Sequence, residues 1–128
     1  MEITIGLKGS VEALVERADT ALEVGSGDLL VYATPCMAAL MEGAACEAIA
    51  NALPEDKTTV GTELSVMHSA ATPVGMEVRA EAEITEYDGK TITYRIEAFD
   101  ESGKIGEATH KRVIVSSQRF LEKTYAKL

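Results

Sequence analysis

From Pro35 to Cys46 the chain reads PCMAALMEGAAC, twelve residues that are apolar or small on every side except at Glu42. A helix that is hydrophobic all round has to be buried, so the rest of the chain must wrap it. Helix signals bracket the run. Thr34 stands where an N-cap is expected, and Pro35 follows at the first helical position, where its missing N–H is no loss. Ala, Leu and Met then dominate as far as Ala50, all good helix formers, and Pro54 blocks continuation. The predicted helix is about 17 residues and roughly 25 Å long. Glu42 and Glu47 interrupt it, and its apolar part is too short for a membrane span. Burying an unpaired ionised carboxylate is unfavourable by several kcal/mol, so Glu42 must be paired, hydrogen-bonded or neutral. A carboxylate held in such a place is a candidate for chemistry.

The remaining pattern supplies the wrapping layer. Ile3, Ile5 and Leu7, then Val11, Ala13 and Val15, alternate around Gly6 and Gly9-Ser10, which predicts one or two extended segments. Glu23–Asp28 reads as a Gly-rich loop and Pro54–Lys57 as a turn. Leu64, Val66 and His68 share one parity within 59–69. Met76, Val78, Ala80, Ala82 and Ile84 alternate with Glu77, Arg79, Glu81 and Glu83, the signature of a strand with one solvated face. Asp88-Gly89 predicts a hairpin, with Ile92, Tyr94, Ile96 and Ala98 on the partner strand. Ser102-Gly103 turns again, Ile105–Val115 is a last strand, and 116–128 reads as a short helix packing Phe120 and Leu121. The order is strand, long buried helix, then four strands in a meander. An antiparallel sheet of about five strands curled around one helix satisfies both. This is an α+β hotdog architecture over one domain, residues 1–128. A single layer leaves a face or edge uncovered, so a symmetric homodimer is expected.

The bulk numbers narrow the function. The chain has 128 residues and a net charge of -9, which argues against nucleic acid as a partner. The charge is uneven: residues 104–128 hold six bases and two acids. The sharper reading of that tail is a cationic patch for a phosphorylated ligand, against a simply solvated surface. Cys36 and Cys46 lie ten residues apart on one helix, about 15 Å along its axis, beyond disulfide reach. Two buried thiols suit a reducing compartment. The N-terminal stretch has neither a basic nor an apolar leader region, so the expected location is cytoplasmic, with no membrane partner. No metal-ligand spacing is present.

Three residues carry the candidate chemistry. Glu42 can orient or deprotonate a hydroxyl or water. Thr34 lies at a helix N-terminus, where free N–H groups suit a developing oxyanion. His68 on the apolar parity of its strand is a natural proton shuttle. Thr34 and Glu42 are two turns, about 12 Å, apart, so a shared site needs substrate, water or a third residue between them. His110 is read as facing its neighbours on the last strand, and Cys36 as a small core thiol rather than a nucleophile.

The runs VYATPCMAALME (31–42), GTELSVMHSAATPVG (61–75) and GEATHKR (106–112) resemble the fluoroacetyl-CoA thioesterase family of hotdog proteins over roughly residues 30–115. The resemblance implies catalytic roles for Thr34, Glu42 and His68. It implies that the Gly61 N–H faces the thioester and that Arg112 holds the CoA moiety or the catalytic groups. It also implies a site at the subunit seam, with His68 and Glu42 drawn from opposite chains. The implied reaction is hydrolysis of an acyl-CoA to a free acid and CoA, with CoA part of the substrate and no separate cofactor. One departure stands out. Fluoroacetyl-selective members carry aromatic residues before the threonine, whereas Glu23–Leu30 is EVGSGDLL, which leaves the acyl group open. Two other classes compete with the thioesterase reading: a non-catalytic acyl-CoA-binding module and a hotdog hydratase or dehydratase.

Overall fold

The computed structural model describes residues 2–128. In chain order the elements are β1 (Lys8–Leu14), a 3-10 turn (Arg17–Asp19), α1 (Ala21–Val24), α2 (Thr34–Ile49), β2 (Lys57–His68), β3 (Glu77–Tyr87), β4 (Thr91–Asp100), β5 (Gly103–Ser116) and α3 (Ser117–Tyr125). The alternation in the sequence is realised as side: Val78, Ala80, Ala82 and Ile84 of β3 and Ile92, Tyr94, Ile96 and Ala98 of β4 are all buried. They pack against Met37, Met41, Ala44, Ala45, Ala48 and Ile49 of α2. Each large aliphatic side chain taken fully out of water there contributes about 1.5–3 kcal/mol. Asp88 fixes the β3–β4 hairpin, its Oδ1 accepting from the N–H of Lys90 at 3.0 Å and of Thr91 at 2.7 Å.

The sheet order is β1-β3-β4-β5-β2, antiparallel throughout. The four-strand meander expected from sequence is therefore a three-strand meander, β3-β4-β5. β2 crosses over and pairs with β5 instead of β3. Turn signals fix neighbours only where connections are short, and the β2–β3 connection is long enough to carry the chain across the sheet. β2 thus forms an edge twelve residues long, hydrogen-bonded on one side only.

α2 is not wrapped on all sides. It lies nearest β1 and β3 and buries one face, while Thr34, Pro35, Ala39, Cys46 and Glu47 are exposed. Small apolar residues read as buried in a sequence, but alanine on a helix is compatible with either environment. The Cys46 thiol, expected in the interior, is among the exposed groups. The 23–28 loop also contains the end of α1, capped by Gly25 in the left-handed region. α3 forms as expected, but Phe120 and Leu121 are 41% and 55% exposed and pack into no core.

Helix–sheet approach is closest at Gly9. A Cβ there would stand 2.6 Å from the Ala44 carbonyl oxygen and closer still to the Ala48 backbone nitrogen. These are backbone atoms of a packed helix and cannot rotate away. Gly9→Ala is expected to destabilise the fold by about 3 kcal/mol, the upper part of the overpacking range. Denaturant melts of wild type and variant with equal m-values and a lowered midpoint check this, and an unchanged midpoint refutes it.

Candidate active site

The segment before α2 is pinned to the loop after β2. Tyr32 N–H donates to the Thr72 carbonyl at 2.9 Å, and Val31 bridges Pro73. That docking brings the start of the helix to the end of the strand, and Thr34 Oγ1 lies 2.7 Å from His68 Nδ1. The N-cap is Ala33, whose carbonyl accepts from Cys36 and Met37 N–H at 3.0 Å. Thr34 is consequently the first helical residue and not the cap expected from sequence. Proline tolerates the second position as well as the first, so the boundary moves by one. The shift frees the hydroxyl from capping and leaves it for the imidazole. The Thr34 N–H, at the first position of the helix, has no intrahelical acceptor.

His68 Nε2 is buried without a protein hydrogen-bond partner. Burial pulls the His68 pKa below the ordinary value, with the Ala70 backbone acting weakly the other way. The ring is therefore neutral at neutral pH and able to accept a proton. Thr34 and His68 line an open cleft of about 260 Å³ with Tyr32, Ser69 and Ala71. Cys36 sits beside them, but burial and then the Asp19 charge raise its thiol pKa. A thiol held protonated is a poor nucleophile, which agrees with its reading as a packing residue.

A second group of polar side chains gathers eight residues further along the helix. Arg112 Nη1 donates to Glu42 Oε2 at 3.0 Å. The guanidinium is itself fixed by Thr59, with Nε to Oγ1 at 2.9 Å and Nη2 to the carbonyl at 3.0 Å. Nη1 also contacts His110 Nε2 at 3.1 Å. Arginine only donates, so Nε2 is the acceptor and the ring proton sits on Nδ1, which donates to the Glu63 carbonyl at 2.8 Å. Desolvation is the main cause, with the Arg112 charge adding to it, of a lowered His110 pKa. The 3.6 Å approach of His110 Nε2 to Glu42 Oε2 is accordingly a packing contact, not an ion pair. Gly61 completes the group: a Cβ on it would lie 2.5 Å from Glu42 Oε2.

Glu42 is thus paired, as its sequence context requires, but its side chain is 41% exposed. The expectation of a carboxylate enclosed by its own chain is corrected, because α2 is covered on one face only. His110 is 1% exposed and belongs to this group, against the expectation that it faces strand neighbours alone. The available signal was parity: Ala108, His110 and Arg112 occupy the same buried side of β5. The chain therefore brings Thr34 to His68, and Glu42 to Gly61 and Arg112. Each set has its own hydrogen bonds, on opposite ends of β2. Among the described residues no cluster of carboxylates, cysteines and histidines has the spacing to hold a metal, and no helix is long and apolar enough to cross a membrane.

The sequence and the fold are similar to those of known proteins. The family model described as fluoroacetyl-CoA-specific thioesterase matches residues 15–118. The fluoroacetyl-CoA thioesterase of Streptantibioticus cattleyicolor is 36% identical over 97 residues, 76% of this chain and 70% of the relative. A solved fluoroacetyl-CoA thioesterase superposes with a TM-score of 0.93 at 28% identity, covering 100% of this chain and 99% of the other. A threonine-to-serine form of that enzyme was solved with acetyl-CoA, again at a TM-score of 0.93 and 28% identity, with 98% of each chain covered. A hot-dog-like protein from Thermanaerovibrio acidaminovorans has a TM-score of 0.87 at 20% identity, covering 98% of this chain and 93% of its own, a likeness of fold. The sheet and long helix are the hotdog fold.

Proposed function

The chain belongs to the fluoroacetyl-CoA-specific thioesterase family and is an acyl-CoA thioester hydrolase, and from that premise we propose that its site is assembled from two copies. The observation that carries the proposal is the split just described. Thr34 and His68 hold one end of β2, Gly61, Glu42 and Arg112 the other, and β2 is a free edge. Edge strands that are long and unpaired invite a second chain. A two-fold axis passing between Leu64 and Ser65 would pair β2 with its symmetry mate antiparallel. In that register Gly61 of one copy stands opposite His68 of the other, and each Glu42 group meets a Thr34–His68 pair. The homodimer would also cover the open face of α2.

The thioester then lies between an acceptor imidazole with its hydroxyl and a carboxylate held by arginine. His68 takes the proton as oxygen adds to the acyl carbon, Thr34 being within 2.7 Å of its Nδ1. The N–H groups of Thr34 and Gly61 are the donors offered to the oxyanion. Collapse breaks the C–S bond, and the products are the acid and the CoA thiol, with one water consumed. Glu42 orients the attacking water or hydroxyl and stabilises the imidazolium. Arg112 fixes Glu42. CoA is part of the substrate, and the reaction as drawn uses no further cofactor.

Thiol release from a panel of short acyl-CoAs tests the function. Binding without thiol release would favour a non-catalytic module, and a change in double-bond absorbance without thiol a hydratase. The panel also decides the acyl group, since Glu23–Leu30 offers no aromatic ring to it. The pH profile is a separate expectation. Neutral His68 is the active base and its pKa is lowered by burial. Activity should therefore be level through neutrality and fall on acidification, with an apparent pKa below about 6.5, the unperturbed imidazole value. A midpoint above that value would contradict His68 as the base.

A further inference from the structure

We infer that the cleft between α3, the start of β2 and the β3–β4 hairpin is the subsite for the 3′-phosphorylated adenosine diphosphate end of CoA; this rests on the acyl-CoA reading above. The cleft has a volume of about 760 Å³, and its walls include Lys57, Lys90, Arg119, Phe120, Glu122 and Lys123. Ligand sites commonly lie in this size range.

Charge pairing singles it out. The chain has twelve Lys and Arg residues. Arg17, Arg79, Arg95, Lys104, Lys111 and Arg112 each lie within 4.0 Å of a carboxylate. Among the described residues the others make no such pair, and four of them, Lys57, Lys90, Arg119 and Lys123, converge on this one cleft. Glu122, the carboxylate in its wall, is engaged by Gln118 Nε2 at 3.0 Å. On a protein of net charge -9 such a grouping is a local attractor for a polyanion. By contrast the 390 Å³ hollow beside β1 carries four carboxylates, Glu47, Glu81, Glu83 and Glu97, against two cations, Lys8 and Arg95, a net negative wall that would repel phosphates.

The segments bearing these cations are fixed to one another through backbone. Lys57 pairs with Ser116, the Ser117 N–H donates to the Asp56 carbonyl at 3.0 Å, and the Ile114 N–H donates to the Lys90 carbonyl at 2.9 Å. Phe120 supplies the other half of nucleotide recognition. Its ring is 41% exposed and stands among the cations, where an adenine can stack on it. Lys57 precedes Gly61 by four residues on the same strand, about 13 Å. The flexible pantetheine arm of CoA is the part of the substrate that bridges such a gap between nucleotide and thioester.

Calorimetry with adenosine 3′,5′-bisphosphate, alongside steady-state kinetics on acetyl-CoA and acetyl-pantetheine, tests the inference on the full-length protein. Arg119→Ala with Lys123→Ala alters the exposed face of α3; Lys8→Ala with Arg95→Ala removes the same charge elsewhere. The first pair is expected to weaken bisphosphate binding, and to raise KM for acetyl-CoA, by about tenfold each. kcat should hold, and KM for acetyl-pantetheine should not move. The second pair should match wild type. Bisphosphate binding that is equal in all three proteins, or a KM penalty equal for both thioesters, overturns the inference. So does loss of binding to anionic phospholipid vesicles with bisphosphate binding intact, which would make the helix a membrane contact. If neither thioester is hydrolysed, the functional reading fails, and the calorimetry still decides the subsite.

Discussion

Alanine at His68 is expected to lower kcat on an acyl-CoA by about 10²–10⁴-fold, and alanine at Glu42 to do the same, the range for removing a general acid–base group. Mixing the two inactive chains should then restore activity. With free exchange, half of the dimers are hybrids, and each hybrid holds one site with both groups and one with neither. The recovered rate is therefore about a quarter of wild type. The effect follows from where the groups lie. His68 is bonded to Thr34 at 2.7 Å and Glu42 to Arg112 at 3.0 Å, with six residues of β2 between His68 and Gly61, over which Glu42 lies. The recovery distinguishes opposite-chain sites from same-chain sites, because in the latter every hybrid site still lacks one group. Native mass spectrometry that finds hybrids in a mixture with no regained thiol release would refute the composite site.

Much of the scaffold behind that prediction was legible before coordinates. β3 and β4 announce themselves through strict alternation, because one face is buried and the other solvated, and Asp88-Gly89 states how they are joined. The long helix is legible through its proline, its alanines and its terminator. What the sequence does not carry is which side of an alanine-rich helix is covered. That depends on the helix lying nearest β1 and β3, a close approach that the missing side chain at Gly9 permits. The pairing of β2 with β5 is likewise invisible, since a crossover leaves no local signal.

The site divides in the same way. Glu42 stood out because a lone acid among apolar residues requires a partner, yet the partner, Arg112, is 70 residues away in sequence and spacing cannot name it. His110, between Thr109 and Lys111, reads in the sequence as facing its strand neighbours, because its contact to Glu42 comes from another element. Its neutral state arises from burial, with the Arg112 charge adding to it, and its ring is held by Arg112 on one side and the Glu63 carbonyl on the other. Phe120 was expected to pack because large aromatic side chains usually do. Its exposure, next to unpaired cations, is the feature that the nucleotide subsite explains.

Gly61→Ala should separate catalysis from folding. The added methyl would lie 2.5 Å from Glu42 Oε2, 3.1 Å from His110 Cε1 and 3.2 Å from Arg112 Nη1. The atoms in the way are ends of side chains. Gly61 is not among the glycines with positive φ, so alanine suits its backbone, and the carboxylate of Glu42, 41% exposed, has room to swing outward. At Gly9, by contrast, the obstruction is helix backbone. The Gly61 variant should therefore keep its stability within about 1 kcal/mol of wild type, while kcat falls by about 10²-fold as the carboxylate leaves its place, the scale expected for a small displacement of a catalytic group. Its pH profile should keep the His68 limb, because the methyl's nearest neighbours are Glu42, His110 and Arg112 and the Thr34–His68 hydrogen bond is left in place. A folded variant with wild-type kcat would mean that the Glu42–Gly61 contact has no part in positioning the acid, and an unfolded one that Gly61 is needed for folding as Gly9 is.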